Sequence, residues 1–351
     1  MVITQRRTAV LVSELMLRGA IVSLLAACVV AMTPAEAVAQ GRRARLSEDL
    51  VERLRNGDTT DTSVIVTGTQ ATVNALAARH GLRVRKRLQS GAVLDVPAGA
   101  LALVADDPDA GSLSPNATLR AQGSISSDSG VPHWVISTGA EQVQEAGWTG
   151  EGVGVAVIDS GMANVPELRN RIVVSRDFTD VRGTGLDRYG HGTHMAGTIA
   201  AASLKKGSSS PGMAPSAHLI NLKVLDAHGI GHADDVIEAI DWAVANAKRY
   251  RIRIINLSLG GPVVQSWRDE PLCHAVERAF LARITVIASA GNWGQTVDGK
   301  EVFGGISVPG NCPHSITVGG LNTKGTPFRS DDELSARSSR GPTHIGSCQR
   351  H

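Results

Sequence analysis

Val155-Ala156-Val157-Ile158-Asp159-Ser160-Gly161 sets four apolar residues in a row before a carboxylate, a hydroxyl and a glycine. An apolar run without polar alternation is the pattern of a strand buried on both faces, as in a parallel sheet covered by helices. Similar runs follow at Ile172 to Val174, Ala217 to Leu225, Ile252 to Leu257, Ile284 to Ala288 and Ser315 to Val318. Helical patterns lie between most of them, at His191 to Ala202, His232 to Ala247 and Leu272 to Leu281. Strand alternating with helix predicts an α/β fold, a parallel sheet with helices on both faces. In such sheets functional groups gather at the carboxyl ends of the strands, which is where Asp159 stands. Taken singly, Asp159 reads equally well as a cap, a metal ligand or a structural partner.

Upstream the pattern differs. Ser63 to Val66 reads as a strand and Thr72 to Arg79 as a helix with Gly81 just past its end. Leu82 to Leu88 and Ala92 to Val96 read as strands around Ser90-Gly91, Ala100 to Ala105 as a second helix, and Ser112 to Leu119 as a last strand. The order β-α-β-β-α-β predicts a small ferredoxin-like α+β domain. Gly41 to Gly57 is charged and polar, a helix plus linker, and the style of the chain changes at about Ser124.

The first 39 residues read as an export signal. Arg6, Arg7 and Arg18 precede the apolar stretch Gly19 to Met32, and Ala37-Val38-Ala39 offers small residues for cleavage before Gln40. The stretch is short for a bilayer span, so no stable membrane anchor is expected and the destination is secreted or periplasmic. Leu25-Ala26-Ala27-Cys28 leaves lipoprotein anchoring through Cys28 as an alternative. A net charge of +2 spread over 351 residues argues against a nucleic-acid partner, which needs a concentrated basic surface. Of four cysteines, Cys273 and Cys312 are the pair that an oxidising compartment would allow to join.

Two further motifs sit where the strand-end rule points. In Tyr189-Gly190-His191-Gly192-Thr193-His194-Met195-Ala196-Gly197 a histidine opens a helix between glycines that permit close backbone approach. His191 and His194 could bind a metal, but no acidic residue completes a metalloprotease pattern, and His194 also reads as a packed core histidine. In Ala288-Ser289-Ala290-Gly291-Asn292 the asparagine is either a turn residue or an amide donor aimed at a developing oxyanion.

Together these segments resemble the subtilisin-like serine protease family. Asp159 stands in its aspartate motif, His191 in its His-Gly-Thr-His motif and Asn292 in its Ala-Gly-Asn motif. The resemblance implies that Asp159 and His191 are catalytic and that Asn292 belongs to the oxyanion hole. It implies that Ser258-Leu259-Gly260 and Gly229-Ile230-Gly231 pair with substrate backbone, and that Ser289-Ala290-Gly291 walls the primary specificity pocket. Residues 40–122 look like the family's propeptide, an intramolecular inhibitor and chaperone, ahead of a peptidase domain at 123–343. Polypeptides are then the substrates. No cofactor is implied for catalysis; a structural calcium ion is compatible, and no residue pattern marks a place for one.

The family's nucleophile stands in a Gly-Thr-Ser-Met-Ala-Ala-Pro-like segment, and no such segment occurs among these residues. Family-like sequence runs through Arg337-Ser338-Ser339-Arg340-Gly341-Pro342-Thr343, and residues 344–351 match nothing in the family. The expectation is a peptidase domain cut short of its serine, inactive as it stands. A non-catalytic peptide-binding or inhibitory remnant is the alternative. A nucleotide-binding α/β domain is a third reading, carried only by Gly150-Glu151-Gly152-Val153-Gly154, which precedes its strand instead of following it.

Overall fold

The computed structural model describes residues 44–122, 133–204 and 212–343. The export signal, Cys28, most of the stretch linking the two predicted domains and the 344–351 tail lie outside the described residues.

The first part of the chain runs β1 (Arg45–Leu46), α1 (Glu48–Arg55), β2 (Thr62–Thr67), α2 (Gln70–His80), β3 (Arg83–Leu88), β4 (Gly91–Val96), α3 (Leu101–Ala105) and β5 (Ser112–Pro115). Its sheet has the order β1-β5-β2-β4-β3, so the last four strands take the ferredoxin-like arrangement and β1 adds an edge beside β5. Local chemistry sets the boundaries of α2. The Thr69 hydroxyl accepts from the Thr72 amide at the start, and Gly81 ends the helix in the left-handed conformation at φ 62°. Val64, Val66, Leu94 and Leu113 bury one face of this sheet against Val73, Leu76, Leu101 and Val104.

The strand expected over Ser112 to Leu119 is two strands. Pro115 still stands opposite Val64 of β2, and the Asn116 amide makes the last bond of that ladder, to Ser63 O at 2.9 Å; beyond it the chain leaves this sheet. After Ala117 the chain forms β6 (Thr118–Ala121), which joins a different sheet.

The second part runs α4 (His133–Ser137), α5 (Ala140–Glu145), β7 (Gly154–Asp159), β8 (Ile172–Asp177), α6 (His191–Ala200), β9 (His218–Lys223), β10 (Ile230–His232), α7 (Ala233–Ala245), β11 (Ile252–Leu257), β12 (Leu259–Gly260), α8 (Pro271–Leu281), β13 (Thr285–Ser289) and β14 (Ser315–Val318). Six of these strands form one parallel sheet in the order β14-β13-β11-β7-β9-β8. All six residues of β7 are buried. Ala156 and Ile158 pack with Val236 and Ile240 of α7 and Leu272 and Val276 of α8. Val155 and Val157 pack on the other face with Ala196 and Ala200 of α6. The unbroken apolar run of β7 is thus explained by helices on both sides. Ile65, Leu88 and Val93, from the face of the small sheet opposite its own helices, join the cluster around α7 and α8, so the two parts share a core.

Cys273, in the first turn of α8, is disulfide-bonded to Cys312 in the turn that leads to β14, with 5.2 Å between the Cα atoms. The sequence separation of 39 gives a stabilisation of about 4 kcal/mol in the chain-entropy limit. Replacing both cysteines by alanine is expected to lower the unfolding free energy by about 2–4 kcal/mol in a urea titration. An unchanged midpoint would show that the bridge is not holding the folded state.

Candidate active site

The carboxyl ends of β7, β11 and β13 lie side by side, with Asn256 in register with Val157 and Leu257 with Ala288. Asp159 closes β7 and is fully buried. Beyond it the chain bends at Gly161, φ 108°, and α6 starts at His191 directly after Gly190, φ 99°. A Cβ on Gly192 would lie 2.2 Å from the Gly161 carbonyl oxygen, so only glycine lets the helix start come down onto the strand end.

This approach brings the two predicted residues together. His191 Nδ1 lies 2.8 Å from Asp159 Oδ1 and 2.9 Å from Oδ2. On the other edge of the ring, Nε2 lies 3.2 Å from the Gln122 carbonyl oxygen. A carboxylate and a carbonyl only accept, so both ring nitrogens donate, and the geometry favours the imidazolium. Burial alone would push His191 down; the hydrogen bond and charge of Asp159, the Gln122 carbonyl and the charge of Asp187 outweigh it and hold His191 above its ordinary value. His194 goes the other way, lowered by its burial and by the nearby His191. It is half-buried, and its Nδ1 has no hydrogen-bond partner among the described residues.

Gln122 reaches the histidine because β6 lies between β10 and β12, antiparallel to both. Leu119 is in register with Gly231, Arg120 with Ile230 and Gly260, and Ala121 with Leu259. The Ala121 amide donates to Gly229 O at 3.0 Å and the Gln122 amide to Ser258 O at 2.8 Å. The two segments singled out as substrate-pairing, Gly229-Ile230-Gly231 and Ser258-Leu259-Gly260, therefore do flank an extended segment, and it is the chain's own. Leu119 is fully buried there.

The third motif forms the end of β13 and the turn after it. Ser289 Oγ donates to the Leu259 carbonyl at 3.3 Å, Ala290 N donates to Val318 O, and Gly291 takes φ 110°. Asn292 is exposed, with its side chain in the loop that follows these strand ends.

Three participants were not legible from the motifs. Gln122 is the last residue of the stretch read as propeptide, and no motif marks it. Asp187, four residues before His191, accepts hydrogen bonds from both segments that carry the pair. Lys223 is the last residue of β9; it is buried, and its ammonium donates to the carbonyls of Ser160 at 2.6 Å and Leu225 at 2.5 Å. Among the described residues no group of three or more His, Cys, Asp or Glu side chains is placed to hold a metal ion.

Residues 150–349 match the model of the subtilase family. The chain is 37% identical over 203 residues to serine protease AprX of Bacillus subtilis (strain 168), covering 56% of this chain and 45% of that protein. It is 39% identical over 197 residues to the intracellular serine protease of Paenibacillus polymyxa, covering 53% and 56%. With subtilisin E of Bacillus subtilis (strain 168) it shares 37% identity over 194 residues, 55% of this chain and 47% of that one. The chain spans about half the length of the curated relatives it matches.

The raised His191 has a consequence for stability. A histidine held above its ordinary value stabilises the fold fully below that ordinary value, about 6.5, and the contribution is lost as pH rises through the raised one. Asp159→Ala leaves His191 buried without its partner and is expected to cost about 3–5 kcal/mol at mildly acidic pH and less at alkaline pH. Denaturant titrations at both pH values check this; an equal loss at the two would contradict the pairing.

Proposed function

Because the chain belongs to the subtilase family, we propose that it is a serine-type endopeptidase precursor in which residues 40–122 are the propeptide and occupy the substrate groove of the peptidase domain that follows. The observation that carries the proposal is the Gln122 carbonyl, delivered to His191 Nε2 by a strand paired on both edges. An extended peptide held by main-chain bonds between two strands is the mode in which backbone gives affinity and pockets give selectivity. Leu119, Arg120, Ala121 and Gln122 then stand for the substrate residues that lead up to the cut bond, and residues 1–39 for the export signal.

In the working enzyme His191 takes the proton from a serine hydroxyl through Nε2 as that oxygen attacks the peptide carbonyl, and passes it to the departing amine. Asp159 holds Nδ1 protonated and the ring oriented, and stabilises the imidazolium. The Asn292 amide donates to the oxygen on which negative charge develops. Water then releases the acyl group by the same relay. Of the three groups in this relay, His191 and Asp159 are the two assigned here. The Gly150–Gly154 reading as a phosphate loop has no such support: Gly154 starts β7, whereas Asp159 and His191 stand at its other end.

Two measurements test the proposal. Purified residues 40–122 should inhibit a complete relative such as subtilisin E at submicromolar concentration, and absence of inhibition at roughly 10 μM would refute the propeptide role. A polypeptide limited to these 351 residues should not react with a fluorophosphonate at any serine in a His191-dependent way. Labelling that is abolished by His191→Ala would show that these residues do hold a nucleophile.

A further inference from the structure

We propose that Asp187 is a positioning residue of this site, whose carboxylate braces the first turn of α6, and so His191, against the loop that follows Asp159. The proposal rests on the reading of His191 and Asp159 as base and partner and adds a residue to it. Asp187 Oδ1 accepts from Ser160 Oγ at 2.9 Å, Tyr189 N at 3.0 Å and Gly190 N at 2.8 Å. Its Oδ2 accepts from Thr193 N at 2.9 Å and Thr193 Oγ1 at 2.6 Å. One carboxylate thus gathers donors from the strand-end loop and from both sides of His191.

The two hydroxyls are what make this a brace. A hydroxyl has one proton to give, and here each gives it to Asp187, which aims its lone pairs elsewhere. Ser160, on the strand side, accepts from the Gly192 amide of the helix at 2.9 Å. Thr193, on the helix side, accepts from the Ala163 amide of the strand-end loop at 3.0 Å. Each segment therefore donates a backbone amide to a hydroxyl of the other, and Asp187 fixes both. Ser160 also donates its amide to Asp159 Oδ1 at 2.7 Å, and Lys223 holds the Ser160 carbonyl from behind, so the brace ends on the partner of His191.

Charge supports the geometry. Burial would raise Asp187, but the bonds from Thr193, Gly190 and Ser160 outweigh it and keep the group an anion below the usual carboxylate range. Asp159 and Asp187 both act on the charge of His191, His194 faces His191, and Lys223 faces Asp187.

Asparagine at 187 keeps the acceptor that faces Ser160 but loses the charge and turns an NH2 toward the Thr193 N–H and hydroxyl, so the Thr193 side of the brace is released. In the full chain, Asp187→Asn is expected to lower the titration midpoint of His191 and to speed exchange of its Nδ1 proton with water roughly tenfold or more, both read by NMR. Ser160→Ala and Thr193→Val, each of which removes one hydroxyl and leaves the carboxylate, should speed the exchange to a smaller extent. A folded Asp187→Asn with the parent's midpoint and exchange rate overturns the proposal, whatever its melting temperature. If that variant does not fold, unchanged exchange in both hydroxyl variants overturns it equally. Asp159→Asn run in parallel separates the two readings: if it leaves His191 unchanged, the base and partner assignment falls and this proposal with it. If Asp159→Asn shifts His191 and Asp187→Asn does not, only the positioning role falls.

Discussion

A short strand paired on both edges, Thr118 to Ala121, joins everything else in this molecule. On one edge it meets β10, on the other β12, and the residue after it places a carbonyl against His191. An unpaired strand edge leaves a row of amides and carbonyls exposed, and burying them without partners is costly. The groove between β10 and β12 presents two such edges. Filling it with the chain's own backbone satisfies both, and the same hydrogen bonds bring a carbonyl to the histidine.

Polar contacts around that strand are arranged to register the small domain more than to add affinity. Asn116 Oδ1 accepts from the Asp234 amide at the start of α7, and Ala117 O accepts from Ala233 N. Ser114 Oγ meets Gln265, which in turn meets the buried Glu270. Lys86 reaches Asp235 at 2.5 Å and Glu238 at 3.1 Å. Asp235 is nevertheless pushed up to about 6, because burial and the charge of Asp234 outweigh Lys86. The lysine offsets a desolvated acidic cluster that already faces the helix N-terminus, and such a pair adds little net stability. The apolar contribution is more dependable: Leu119, Ile65, Leu88 and Val93 share one buried cluster with α7 and α8, at about 1.5–3 kcal/mol for each large side chain fully buried.

Much of this was legible in the amino-acid order, and the limits have physical causes. The runs at β7 and β9 mark strands because a sheet covered on both faces leaves little room for alternation, whereas β14, at the sheet edge, alternates and leaves Ile316 and Val318 exposed. The aspartate and histidine motifs are readable because glycines at 161, 190 and 192 must flank a close approach. The break between Pro115 and Thr118 was missed since a β-rich stretch on both sides of it still reads as one strand. Asp187 and Lys223 were invisible for a different reason: Asp187 serves neighbouring amides and two hydroxyls, Lys223 serves backbone carbonyls, and such donors and acceptors leave no motif in sequence. Gln122 stood at the start of a Ser-rich stretch, where nothing distinguishes a linker residue from one held in a groove.

Hydrogen exchange of individual amides in the folded chain tests most directly whether β6 occupies the groove. The Ala121 and Gln122 amides, which donate to Gly229 and Ser258, should be protected to an extent comparable with the buried strands of the parallel sheet. Exchange of these two at the rate of an open chain, while the β7 amides stay protected, would mean that the strand is not in the groove and that the account of the site built on it is wrong.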